Sequence, residues 1–243
     1  MSARASLATA ARVLRQLRRD PRTLALLLVV PALLLVLVRF LLNDGGPAFD
    51  RYAVPLVGIF PLVSMFLVTS IAMLRERTTG TLERLLTLPI AKGDLLAGYG
   101  LAFGTVAAAQ GLLLAGVAAG PLGVELAHGV VPVVAAGVAN ALLGMALGLF
   151  LSAFASTEFQ AVQFMPAVLL PQLLLCGLVV DRDRMGVALE WLSAVLPMTY
   201  AYEALDAAAG LSAGSLALPL TVVLAAVVAA LAAGAVTLRR RTA

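Results

Sequence analysis

Six apolar runs, each about 20 residues long, govern what this chain can fold into. They cover approximately residues 24–42, 53–74, 95–119, 130–151, 160–180 and 216–238. At about 1.5 Å per helical residue, each can cross a hydrocarbon core of about 30 Å. Backbone polar groups in lipid need partners within their own segment or in a closed barrel. No run alternates apolar and polar residues as barrel strands do, so the pattern predicts helices. The 243-residue chain is 62% hydrophobic and only 12% charged, about half the charged fraction usual in soluble domains. Nothing between the runs is long enough to bury a core of its own, so we expect one all-α membrane domain over residues 1–243.

The distribution of positive charge fits six crossings. Of the 17 Lys and Arg residues, all but Arg39, Arg51, Arg182 and Arg184 then fall on one side. The positive-inside rule makes that side cytoplasmic and places both termini there. The turn at Ser156 and Glu158 has no Lys or Arg and is placed by parity alone. An Arg-rich segment precedes the first run and no small-residue cleavage site follows it, so that run is expected to be retained. Within residues 3–20, Leu7, Ala10, Leu14 and Leu17 share one helical face while Arg12, Arg15 and Arg19 share another. That spacing predicts an interfacial helix, with Asp20-Pro21 as the bend into the membrane. A frayed basic tail is the plainer alternative. Residues 181–215 are too polar to span and too apolar for a simple loop, so short helices set into the outer leaflet are expected, with Trp191, Tyr200 and Tyr202 at the interface.

Several residues inside the runs carry polar groups. Gln110 and Asn140 lie near the middle of the third and fourth runs and need partners, with a mutual bond one option. The fifth run combines Gln160, Gln163 and Gln172 with Pro166 and Pro171, so it is expected to avoid bulk lipid. Three GxxxG pairs, Gly100/Gly104, Gly116/Gly120 and Gly144/Gly148, are read as helix packing within the chain, with dimer contact as the alternative. The single cysteine, Cys176, builds no disulfide framework, and His128 with Glu125 is too small a set to close a metal site. GLSAG at 210–214 matches G-x-S-x-G but lacks the strand-turn-helix setting of a nucleophile elbow. No catalytic residue and no metal site is assigned.

The charged stretch at 75–94 stands between the second and third runs. Gly80 interrupts the helix, a new one can start near Thr81 with Glu83 in its first turn, and Pro89 ends it. Such a short surface helix either docks a partner or is a solvated loop whose arginines fix topology.

The segment ERTTGTLERLLTLPI (76–90) resembles the signature of ABC-2 transporter permeases. Three further stretches match in order: RDPRTLALLLVVPALLL (19–35), STEFQAVQFMPAVLLPQLLLCG (156–177) and LPMTYAYEAL (196–205). The chain is similar to the drug and antibiotic export branch, resembling daunorubicin-resistance permeases. The resemblance implies a six-span fold like that of type V ABC exporters, with a connecting helix at 3–20, a coupling helix in 75–94 and an external helical hairpin after Asp181. It implies that Glu76, Gly80, Thr81, Leu82, Glu83, Arg84 and Pro89 form the contact with a cytosolic ATPase. It also places the second and fifth spans of two copies around a central pathway, where Phe60, Met65, Phe66, Gln163, Phe164, Met165 and Gln172 are the candidate lining. Ordinary core packing is the alternative for each.

The sequence contains no G-x-x-x-x-G-K-[ST], so no phosphate cradle is expected here; ATP and Mg would sit on a separate ATPase subunit. The implied function is ATP-driven export of a hydrophobic or amphipathic substrate across a bacterial cytoplasmic membrane. The implied partners are an ABC ATPase, a second permease copy and lipid, with no nucleic acid. A non-pumping scaffold or immunity protein that sequesters an amphipathic peptide is the competing reading.

Overall fold

The computed structural model describes residues 2–42, 47–87, 91–212 and 214–237, with the backbone alone at 47, 48, 50, 51, 82, 83 and 86. Among these residues the regular elements are helices. They are α1 (Ala3–Arg18), α2 (Pro21–Leu41), α3 (Pro47–Thr78), α4 (Thr81–Thr87), α5 (Lys92–Ala119), α6 (Val130–Leu151), α7 (Glu158–Leu175), α8 (Val187–Val195), α9 (Pro197–Ala209) and α10 (Ala217–Thr237), with 3-10 turns at Ser152–Phe154 and Arg182–Arg184. The bend before α2 has a local cause. Asp20 accepts a bond from the Thr23 N–H at 3.2 Å, and Pro21 takes the first helical position, where its missing N–H is no loss.

Among the described residues, five helices are long and apolar enough to cross a membrane: α2, α3 from Tyr52, α5, α6 continued to Phe154, and α10. The fifth apolar run differs from expectation. It is helical only to Leu175, and residues 176–180 leave the helix. Glu158 and the three glutamines also dilute its apolar character. Even so, α7 extends along α3, because Glu158 bonds Arg75 at 2.7 Å near one end while Cys176 and Leu178 pack with Ile59 near the other. Ile59 to Arg75 is about 24 Å of helix.

The centre of the bundle is the contact of α3 with α6, the largest interface between elements. Gly144 and Gly148 make it possible, because a Cβ at Gly144 would collide with the Leu62 carbonyl and one at Gly148 with the Phe66 carbonyl and Thr69. Thr69, fully buried here, is also 3.3 Å from the Met145 carbonyl. The other two GxxxG pairs do not serve this purpose. A Cβ at Gly100 or Gly104 would meet only side chains of α6, Met145 at 4.0 Å and Leu142 at 3.5 Å, and one at Gly116 would meet nothing.

The buried amides take backbone partners in place of each other. Gln110 donates to the Leu27 carbonyl at 2.9 Å and Asn140 to the Ala201 carbonyl at 3.0 Å. Leu27 lies four residues before Pro31, whose missing N–H leaves that carbonyl without its helical partner. Gln110 fills the gap. Between α7 and α10 the chain forms α8, exposed but for Ser193 and Ala194 near its end, and α9, which is wedged into the bundle with Ala204 and Leu205 fully buried. Arg39 places its guanidinium over the Phe49 ring, 5.5 Å from the centroid.

Candidate functional site

The charged stretch that interrupts the apolar pattern emerges as a braced corner. The helix α3 ends at Thr78, Gly80 adopts φ +72°, and α4 starts at Thr81. Positive φ costs other residues about 1–2 kcal/mol, which explains a glycine at the corner. The Thr79 hydroxyl donates to the Arg75 carbonyl at 2.7 Å and lies 3.0 Å from the Thr81 hydroxyl, so the turn is tied to both helices. Arg84 and Thr87 are exposed on α4. Leu82 and Glu83 belong to α4, but their side chains lie outside the described residues, as does Pro89.

Glu76 lies one turn before the corner and faces inward. Its Oε1 accepts from Arg12 Nη1 at 2.8 Å, its Oε2 accepts a short bond from the Tyr99 hydroxyl, and Arg12 Nη2 reaches the same hydroxyl at 3.3 Å. The Arg12 and Glu76 side chains are 25% and 12% exposed. One carboxylate thus ties α1, α3 and α5 together beside the α4 corner. Arg12 therefore turns away from the outward basic face shared by Arg15 and Arg19, because an acid partner awaits it inside. Neither Arg12 nor Tyr99 stood out in sequence, since they join Glu76 from 64 and 23 positions away.

Two further contacts hold α1 on α5. The Ser2 N–H donates to Asp94 at 2.9 Å, and Gly98 admits Ser6 and Thr9 where any Cβ would collide with Thr9. Ala10 and Val13 are buried in the same contact, and Leu14 and Leu17 pack against the core, whereas Leu7 is exposed. Most of the apolar face of α1 therefore meets protein.

On the other flank, Arg75 grips Glu158 through Nε at 2.7 Å and Nη2 at 3.1 Å. This bond with Arg75 holds the Glu158 carboxyl below the usual carboxylate range. The Asp20 carboxyl is likewise lowered, by its bonds from the Thr23 hydroxyl and N–H.

The candidate pathway residues separate. Met65 and Phe66 are wholly buried in the core of this chain. Gln172 is nearly buried, its Nε2 donating to the Val168 carbonyl at 3.0 Å. Phe60, Phe164 and Met165 are half-buried and Gln163 is exposed.

The fold and this corner define a class: a multi-pass, all-helical membrane protein with a short, braced polar helix at one end of the bundle. The chain belongs to the ABC-2 type transporter family, which matches residues 5–209. It is also 24% identical over 163 residues to ABC transporter G family member 20 of Dictyostelium discoideum. That match covers 67% of this chain and 22% of the longer protein.

Proposed function

We propose that this chain is the membrane-spanning permease part of an ATP-driven exporter, acting as two copies with a cytosolic ABC ATPase docked beneath each. The observation that carries the reading is the tie at Glu76, which fastens the α3–α4 corner to α1 and α5 in a chain of this family. A force applied to an isolated loop would be lost in its own flexing. Applied to α4, it passes through the braced Thr79–Thr81 turn into α3, and through Glu76 into two more helices. Closure of an ATPase dimer would in this way change access to a pathway between the copies.

In this reading α7 is the sixth crossing and returns the Arg-rich termini to the cytoplasmic side of the bacterial inner membrane. Support comes from its course along α3 and from its exposed Gln160 and Gln163, which are poorly suited to lipid and well suited to a second copy or a pathway. The half-buried Phe164 and Met165 next to Gln163 on α7, and Phe60 on α3, fit a hydrophobic or amphipathic cargo. ATP and Mg belong to the partner, and Gly80, Thr81, Leu82, Glu83, Arg84 and Pro89 form the docking surface.

A photo-crosslinker at Arg84 should capture an ABC ATPase, and Glu83→Ala should abolish energised efflux with insertion and abundance unchanged. Undiminished efflux in Glu83→Ala, or labelling of position 84 from outside the cell, defeats the assignment.

A further inference from the structure

Beside the Glu76 tie lies a cavity of about 490 Å³ between α1, the start of α2, the end of α3 and α5. Its volume is within the range of small-molecule sites, about 300–1,000 Å³. Its lining is graded along the bundle. Toward the middle of α3 the walls are Val68, Ile71, Ala72 and Phe103, with Val13, Gln16 and Leu17 from α1, apolar but for Gln16. At the outer end, beside the α4 corner, they are Asp20, Thr23, Arg75, Thr79 and Thr81. Val68 to Arg75 is about 10 Å of helix, comparable with the depth from headgroup to upper acyl chain. This order of polar and apolar walls matches an amphiphile standing in one leaflet.

The charges select its head. Glu76 also lines the cavity, but both of its oxygens are engaged by Arg12 and Tyr99. The polar end then offers one further acid, Asp20, whose oxygens accept from the uncharged Thr23 N–H and hydroxyl and not from a base, and one base, Arg75. The Arg75 pair with Glu158 is exposed on both sides, 64% and 51%, and such pairs contribute little and open readily. An anionic head lacking an amine would meet Arg75 but also Asp20 and Glu158. A head with a phosphate and a primary ammonium satisfies both signs.

We propose that this cavity binds a phospholipid of the adjacent leaflet with a zwitterionic, primary-amine headgroup, of which phosphatidylethanolamine is the type. The phosphate is placed toward Arg75, the ammonium toward Asp20, and acyl carbon along Ile71, Ala72 and Phe103. The inference requires only that α2, α3 and α5 cross a bilayer, so it stands or falls apart from the export reading.

The test is native mass spectrometry of the full chain in detergent, titrated with phosphatidylethanolamine, phosphatidylglycerol or phosphatidylcholine, with no ATP or partner present. The wild type should retain one phosphatidylethanolamine per chain about tenfold more strongly than either other lipid. Ala72→Leu, which fills the apolar end, should reduce that retention at least fivefold. Asp20→Asn keeps an effective helix cap while removing the charge, and should abolish the preference for the amine without abolishing lipid retention. Equal retention of the three lipids by the wild type overturns the proposal. So does an unchanged preference in Asp20→Asn, or wild-type retention by a folded Ala72→Leu, either of which would mark the bound lipid as annular.

Discussion

Replacing Arg12 by alanine removes one partner of the ion pair and leaves Glu76 only 12% exposed, with the Tyr99 hydroxyl as its remaining partner. At 2.8 Å and an effective dielectric of about 20, the Coulomb attraction is about 6 kcal/mol. Desolvation of the two groups offsets several kcal/mol of that. The cost of deleting one partner is then about 2–3 kcal/mol, below the roughly 3–5 kcal/mol of a fully buried pair because Arg12 is 25% exposed. Glu76→Gln retains an acceptor for Tyr99 and should cost about 1–2 kcal/mol, since hydrogen bonds to charged groups contribute about 1.5–3 kcal/mol. If the two side chains act on each other, the double variant should cost about 1.5–2 kcal/mol less than the sum of the singles. Reversible unfolding in mixed micelles measures all three. A coupling below about 0.3 kcal/mol would show that α1 is held by its contacts on Gly98 and not by the tie, and would refute this reasoning.

Three other outcomes are expected. Gly144→Ala should destabilise the fold by about 1–3 kcal/mol through collision with the Leu62 carbonyl, whereas Gly116→Ala, facing open space, should be neutral or stabilise by up to about 1 kcal/mol; thermal melting of the two variants compares them. Asn140→Ala removes the donor to the Ala201 carbonyl and should cost about 0.6–1.7 kcal/mol, read by the same unfolding assay. The Arg75–Glu158 contact, whose carboxyl is lowered by the arginine, is fully present above the ordinary carboxylate pKa and is lost as pH falls through the depressed one. The Glu158 side-chain carboxyl resonance, followed by NMR, should therefore hold from about pH 7 to pH 5 and move only as pH falls below the ordinary carboxylate range.

Five of the crossing helices were legible because length and apolarity are local properties, and each run stands clear of its neighbours. The fifth run is less clear, because Glu158, Gln160, Gln163 and Gln172 dilute its apolar character, with Gln160 and Gln172 bonded within their own segment to Ser156 and Val168. The break at Asp20-Pro21 and the α4 start after Gly80 could be read directly, since capping and positive φ are set within a few residues. The Glu76 tie could not, because Arg12 looked like one more basic residue on an amphipathic helix and Tyr99 like an aromatic in an apolar run. Gln110 offers a signal that was present and unused. Pro31 marks the Leu27 carbonyl as lacking its helical donor, and a membrane amide elsewhere in the chain is the natural group to supply one.

The seam at Gly144 and Gly148 has a mechanical consequence. With the α6 backbone pressed against α3 at two places a turn apart, neither helix can slide or roll without the other, so the pair forms a stiff two-rod lever. From Tyr52 to Thr78 that lever is about 40 Å long, and a rotation of about 10° around one end displaces the other by about 7 Å. A small rotation at the end that carries the short polar helix would therefore reach the opposite face as a displacement of several ångströms, provided the seam stays shut.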